Sequence, residues 1–230
     1  MKLTEIKSPA DIKTLGINEL SEICGEIRKS LLMKLSRHGG HVGPNLGMVE
    51  MSVALHYVFD YPQDKIVYDV SHQSYVHKML TGRMKAFTDP AEYDTVTGFT
   101  NPAESPADIF TIGHTSTGVS LAGGLVKARN LKGGTERIVA VVGDGSLSGG
   151  EAFEGLNVAA TLSGNFVIVV NDNDMSIAEN HGGLYENLKL LRDTDGNAPL
   201  NYFKAFGLDY RYVAYGNDLK SLIDAFEEVK

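Results

Sequence analysis

Two segments of this 230-residue chain carry oxygen-bearing side chains in places suited to a metal and a phosphate. One apolar run ends in Gly143, Asp144 and Gly145, and a second ends in Asn171, Asp172 and Asn173. If the two runs are neighbouring parallel strands, Asp144 and Asn173 lie side by side at their C-terminal ends. A carboxylate and an amide oxygen form a hard pair suited to magnesium, which takes few protein ligands and fills its shell with phosphate oxygens and water. Glycines at 143, 145, 149 and 150 let backbone amides come close to a phosphate, and a helix beginning near residue 150 adds a positive dipole end. Asp-Gly and Asn-Asp are also ordinary turn pairs. Two such ends after two buried strands, joined by one helix, favour a site for a diphosphate held through a metal.

Three of the seven histidines stand in glycine- or serine-rich contexts: His41 in RHGGHVGPNLG, His72 in DVSHQSYVHK and His114 in TIGHTSTG. His72 and His114 directly follow apolar runs expected to be strands. Imidazoles at strand ends can donate to phosphate or move protons, and three on one sheet edge point to function. His38, His56, His77 and His181 are expected to be structural or solvated. Histidine spacings match no zinc pattern, and the chain has no nicotinamide fingerprint, no Walker A sequence and no nucleophile elbow.

These groups need a scaffold. KIVYDV at 65–70, DIFTIG at 108–113, RIVAVVGDG at 137–145 and NFVIVVNDND at 165–174 are nearly continuous β-branched runs, the pattern of parallel strands buried on both faces. Helical patterns at 20–36, 47–59, 117–130 and 150–162 alternate with them. The expected fold is α/β, a three-layer sandwich with a mainly parallel sheet and ligands at the strand C-terminal ends. DYRYVAY at 209–215 predicts a further strand, and NDLKSLIDAFEEVK an amphipathic helix with Leu219, Leu222, Ile223, Phe226 and Val229 on one face. A returning strand is expected after such a unit, which favours a single domain over 1–230 that is part of a longer enzyme.

A hydrophobic fraction of 43% supplies a core, and a net charge of −8 argues against nucleic acid or anionic membranes as partners. The single cysteine, Cys24, fits a reducing compartment, and no apolar run nears the roughly 20 residues of a membrane span. A cytoplasmic protein is expected.

Gly143-Asp144-Gly145 running on to Asn173 resembles the thiamin-diphosphate signature. DVSHQSYVHKMLTGR at 69–83, GGHVGPNLGMVEMSVALHYVF at 39–59, IGHTSTGVSLAGGLVKARN at 112–130 and NDNDMSIAEN at 171–180 are similar to the 1-deoxy-D-xylulose-5-phosphate synthase family, transketolase-like enzymes of isoprenoid-precursor and thiamin biosynthesis. The resemblance implies a thiamin-diphosphate-binding fold. It implies Mg2+ held by Asp144, Asn173 and the backbone carbonyl of Met175. His72, Gly113, His114, Thr115, Gly145, Ser146 and Asn173 would then contact the cofactor, and His41, with His72, would serve the catalytic steps. Glu50 is expected to be structural. At 102–103 a Pro-Ala pair replaces the family's basic pair. The implied reaction condenses pyruvate with glyceraldehyde 3-phosphate with loss of carbon dioxide. The family's aminopyrimidine-binding glutamate and phosphate-binding arginines belong to further domains, expected as partners in cis or in trans, in a homodimer. This chain alone is then expected to be inactive. Alternatives are another transketolase-like carboligase subunit or a non-catalytic remnant domain.

Overall fold

The β-branched runs form a parallel sheet. A computed structural model describes residues 2–175 and 178–230. Its strands are β1 (Lys65–Tyr68), β2 (Ile138–Gly143) and β3 (Phe166–Asn171), in the order β1-β2-β3 and all parallel. In chain order the helices are α1 (Ile17–His38), α2 (Val42–Gly47), α3 (Val49–Val58), α4 (Tyr75–Lys78), α5 (Lys85–Thr88), α6 (Gly118–Lys132), α7 (Gly150–Ala159), α8 (Gly183–Asp193), α9 (Tyr202–Ala205) and α10 (Leu219–Val229). Among the described residues no helix is long and apolar enough to cross a membrane. The chain divides into two compact units, Met1–Gln63 with Ser71–Gly113 and Tyr215–Lys230, and Asp64–Val70 with His114–Ala214.

The second unit contains the sheet. Register pairs Ile138 with Phe166, Ala140 with Ile168 and Val142 with Val170. Side chains of paired residues share a face. Phe166, Ile168 and Val170 pack with Val142 against Val119, Leu156, Leu188 and Phe203, so helices α6 to α9 cover that face. β2 is buried from Ile138 to Val142, as continuous apolar strands should be. β3 departs from that expectation. Every residue of it is half-buried, because among the described residues only β2 pairs with it.

Two expected strands are not strands. Residues 108–113 run as coil whose polar groups are satisfied by side chains rather than by a ladder. Thr100 Oγ1 donates to the Phe110 carbonyl and Ser71 Oγ to that of Ile112, each at 2.9 Å. His114 therefore follows coil and not a strand end. Residues 209–215 are also coil. Tyr210 stacks on Phe203 at 5.6 Å, which spends an aromatic of the apparent strand on α9.

The first unit is helical. α10 lays Leu219, Leu222, Ala225 and Phe226 against α3 and α1, while Val229 of its expected apolar face is exposed. Phe226 meets Phe59 at 5.9 Å, and Lys230 Nζ donates to the Val58 carbonyl. Glu50 pairs with Arg28.

A polar network lies inside this unit. His56 and His77 are almost wholly buried and stack at 5.1 Å. His56 Nε2 lies 3.0 Å from His77 Nδ1, and His77 Nε2 lies 3.1 Å from Asp108 Oδ1. Arg83 grips the same carboxylate at 2.6 and 2.8 Å. Burial alone pushes the Asp108 carboxyl up, but hydrogen bonds from His77, Arg83 and the Asn101 amide outweigh it and hold the group well below the carboxylate range. Burial holds His56 far below the ordinary histidine value, with His77 adding to the effect, and lowers His77 against the pull of Asp108.

Both histidines are thus neutral in the fold, while the unfolded chain takes up protons near pH 6.5. The native state refuses those protons, so stability is full above that pH and is lost as pH falls through it. Each histidine contributes a slope of about 1.4 kcal/mol per pH unit. Denaturant unfolding between pH 7 and 5 should show the loss, and His56→Gln should remove about one proton's share of it. An unchanged slope in His56→Gln would refute the buried neutral pair.

Candidate functional site

In the sheet-bearing unit, the parallel pairing of β2 and β3 sets Gly143 opposite Asn171, so Asp144 and Asp172 leave the sheet together. Asp144 opens a short 3-10 turn, Asp144–Ser148, that feeds α7. Its side chain is buried at 3% exposure, and Oδ2 accepts from Asn180 Nδ2 at 2.8 Å. Burial and then the charge of Asp172 push its pKa up, and the amides of Gly145 and Asp144 with the Asn180 side chain offset this in part. Such a carboxyl gains from a cation. Asp172 and Asp174 already have one in Arg192, at 2.5 and 2.7 Å.

Asn173 is exposed, and its Oδ1 accepts the Met175 amide at 3.1 Å. An amide oxygen keeps a second lone pair, so that bond leaves it able to ligate. The Met175 side chain is half-exposed and its backbone bridges to Glu179. The structure therefore puts Asn180, absent from the expected site residues, on Asp144, and turns Asn173 onto its own loop. Among the described residues no three His, Cys, Asp or Glu side chains gather as a metal cage. A cation here would rest on Asp144, amide and carbonyl oxygens, and the phosphates of a ligand.

The turn is held by contacts that sequence reasoning did not find. Asp69, 1% exposed beyond the end of β1, accepts the amides of Ser116 at 3.1 Å and Gly118 at 2.7 Å, capping α6 from outside the helix. Ser116, held at φ 75°, donates from Oγ to the Ser146 carbonyl at 2.8 Å. A Cβ on Gly149 would stand 1.9 Å from Ser116 Oγ, and one on Gly118 2.7 Å from Asp69 Cβ, so both contacts need glycine. Gly145 is half-buried and Ser146 buried in this turn. Gly113, His114 and Thr115 are exposed, with His114 Nδ1 at 2.7 Å from the Thr115 carbonyl.

His41 and His72 belong to the helical unit, with ring centroids 5.4 Å apart, edge to face. His41 caps α2. Burial lowers its pKa, with a hydrogen bond to the Gly98 carbonyl pulling the other way. One side chain ties the two histidine backbones together. Asn45, 0% exposed, donates to the carbonyls of His41 at 2.7 Å and His72 at 2.8 Å and accepts the Tyr75 amide at 3.0 Å. Of the remaining histidines, His38 pairs with Asp94 on the surface, and His56 and His77 are the buried pair.

A family model described as 1-deoxy-D-xylulose-5-phosphate synthase matches residues 3–200. A 1-deoxy-D-xylulose-5-phosphate synthase of Lachnoclostridium phytofermentans is 43% identical over 227 residues, covering 99% of this chain and 34% of its own length. The Geobacillus sp. protein of that name is 48% identical over 192 residues, covering 84% of this chain and 30% of its own length. The chain thus spans about a third of the length of these curated relatives. Transketolase from Leishmania mexicana superposes with a TM-score of 0.64 at 20% identity, over 94% of this chain and 35% of that one, a likeness of fold. With a match over residues 3–200, the chain belongs to the 1-deoxy-D-xylulose-5-phosphate synthase family.

Proposed function

We propose that the chain is the diphosphate-binding domain of a thiamin-diphosphate-dependent 1-deoxy-D-xylulose-5-phosphate synthase, which joins pyruvate to glyceraldehyde 3-phosphate with loss of carbon dioxide. The observation that carries this reading is the buried Asp144 carboxyl at the head of a glycine-built turn, its proton affinity raised by burial and by Asp172. That chemistry fits Mg2+ with a diphosphate. Asp144, Asn173 and the Met175 carbonyl would hold the metal. Gly145 and Ser146, with His72, Gly113, His114 and Thr115, would bind the diphosphate, helped by the N-terminus of α7. Thiamin diphosphate, when bound, supplies the electron sink that decarboxylation of a 2-oxo acid needs.

The protein's own work is to bind, orient and move protons. His41 is the proton-transfer group in this reading: burial lowers its pKa, which favours the neutral ring, a form able to accept as well as donate. The remaining machinery would come from further domains, in a cytoplasmic homodimer. The shortness of the chain beside its relatives, about a third of their length, supports that division.

Two variants test the assignment in the chain supplied with those domains. Asp144→Ala should abolish Mg2+-dependent binding of thiamin diphosphate in a calorimetric titration, since it removes both a ligand and a charge. Affinity equal to the parent's would remove the metal assignment. His41→Ala should lower turnover by about 10²–10⁴ and leave cofactor affinity nearly as it was. Weaker cofactor with normal turnover at saturation would instead make His41 a binding residue.

A further inference from the structure

His41 is gripped on one edge by a residue with no place in the scheme above. The Tyr75 side chain is 4% exposed and packs on Phe87 at 5.5 Å. Its Oη lies 3.2 Å from His41 Nδ1 and accepts the His41 backbone N–H at 3.4 Å. A buried tyrosine hydroxyl seeks a partner for its own proton, and Nδ1 is in reach.

The surroundings are built for this contact. A Cβ on Gly40, at φ +128°, would stand 2.9 Å from Tyr75 Oη. One on Gly98 would stand 3.2 Å from His41 Cε1 and 3.4 Å from Tyr75 Oη. The two glycines open the space in which hydroxyl and imidazole meet. Phe99 closes on the His41 ring at 5.2 Å, and Asn45 fixes the backbones of both His41 and Tyr75. The titratable rings facing His41 are those of His72 and Tyr75.

We propose that Tyr75 is the positioning residue of His41: its hydroxyl donates a hydrogen bond to Nδ1, so the neutral imidazole is held in one orientation and keeps its own proton on Nε2. The catalytic meaning rests on the reading of His41 as the proton-transfer group; the hydrogen bond and the tautomer do not.

Nitrogen-15 NMR of the imidazoles in the 230-residue chain, above the pH of histidine titration, reads the tautomer directly. The parent should show His41 as one tautomer, with a pyridine-type Nδ1 and a pyrrole-type Nε2. Tyr75→Phe keeps the ring on Phe87 and removes the hydroxyl. Both His41 signals should then move toward tautomer-averaged positions, while those of His77, held between His56 and Asp108, stay in place and report an intact fold. If Tyr75→Phe disturbs His77 as well, Gly98→Ala, which crowds the same hydrogen bond, should produce the His41 shift with His77 unchanged. In the enzyme completed by its further domains, Tyr75→Phe should cost turnover up to about 10²-fold with thiamin-diphosphate affinity retained. A parent His41 protonated on Nδ1, or His41 signals unmoved in Tyr75→Phe, would overturn the proposal. Failure of the functional reading looks different: His41→Ala would then leave turnover unchanged, whatever the tautomer.

Discussion

One buried amide organises the helical unit. Asn45 uses both N–H bonds and its carbonyl oxygen on three backbone groups, those of His41, His72 and Tyr75, which lie up to 34 residues apart in sequence. No other side chain of that size offers two donors and an acceptor in one plane. Aspartate would set a charge against two carbonyls, and leucine would remove all three hydrogen bonds, each worth about 0.5–1.5 kcal/mol. The loop before α2 and the loop before α4 are thereby held together, and the edge-to-face approach of the two imidazoles follows.

The sheet-bearing unit is organised by a similar device with a carboxylate. Asp69 caps α6 from the end of β1, and Ser116 of that capped loop reaches the Ser146 carbonyl. Glycines at 118 and 149 are required because a Cβ at either would collide with this chain of contacts. The result ties the turn at 144–148 to two other loops, so that Asp144 is presented by a rigid frame rather than by a free loop. Rigid placement matters for a metal that takes few protein ligands, since each must be where the phosphate oxygens leave room for it.

Much of this was legible in the residues. The β-branched runs at 65–70, 137–145 and 165–174 gave three parallel strands, because apolar continuity reports burial and burial drives the pairing. The run at 108–113 looked the same but is coil, since side chains of Thr100 and Ser71 take the carbonyls that a ladder would have used. Local pattern carries no sign of such distant partners. The candidate residues Asp144, Asn173, His41 and His72 stood out by type and context. Asn45, Tyr75, Asp69 and Asn180 did not, although all four lie inside the blocks that carry the family resemblance, at 39–59, 69–83 and 171–180. Their work is to bond backbone or to orient another side chain, and an Asn or Tyr engaged that way has no spacing rule to betray it.

The central claim is that the glycine-built turn after β2 receives a metal-bound diphosphate. Amide NMR spectra of the chain during titration with thiamin diphosphate test it most directly, with Mg2+ present and then with the metal chelated. The account predicts saturable shifts of the Gly145 and Ser146 amides that need Mg2+. Shifts that are absent with Mg2+ present, or identical after chelation, would contradict it.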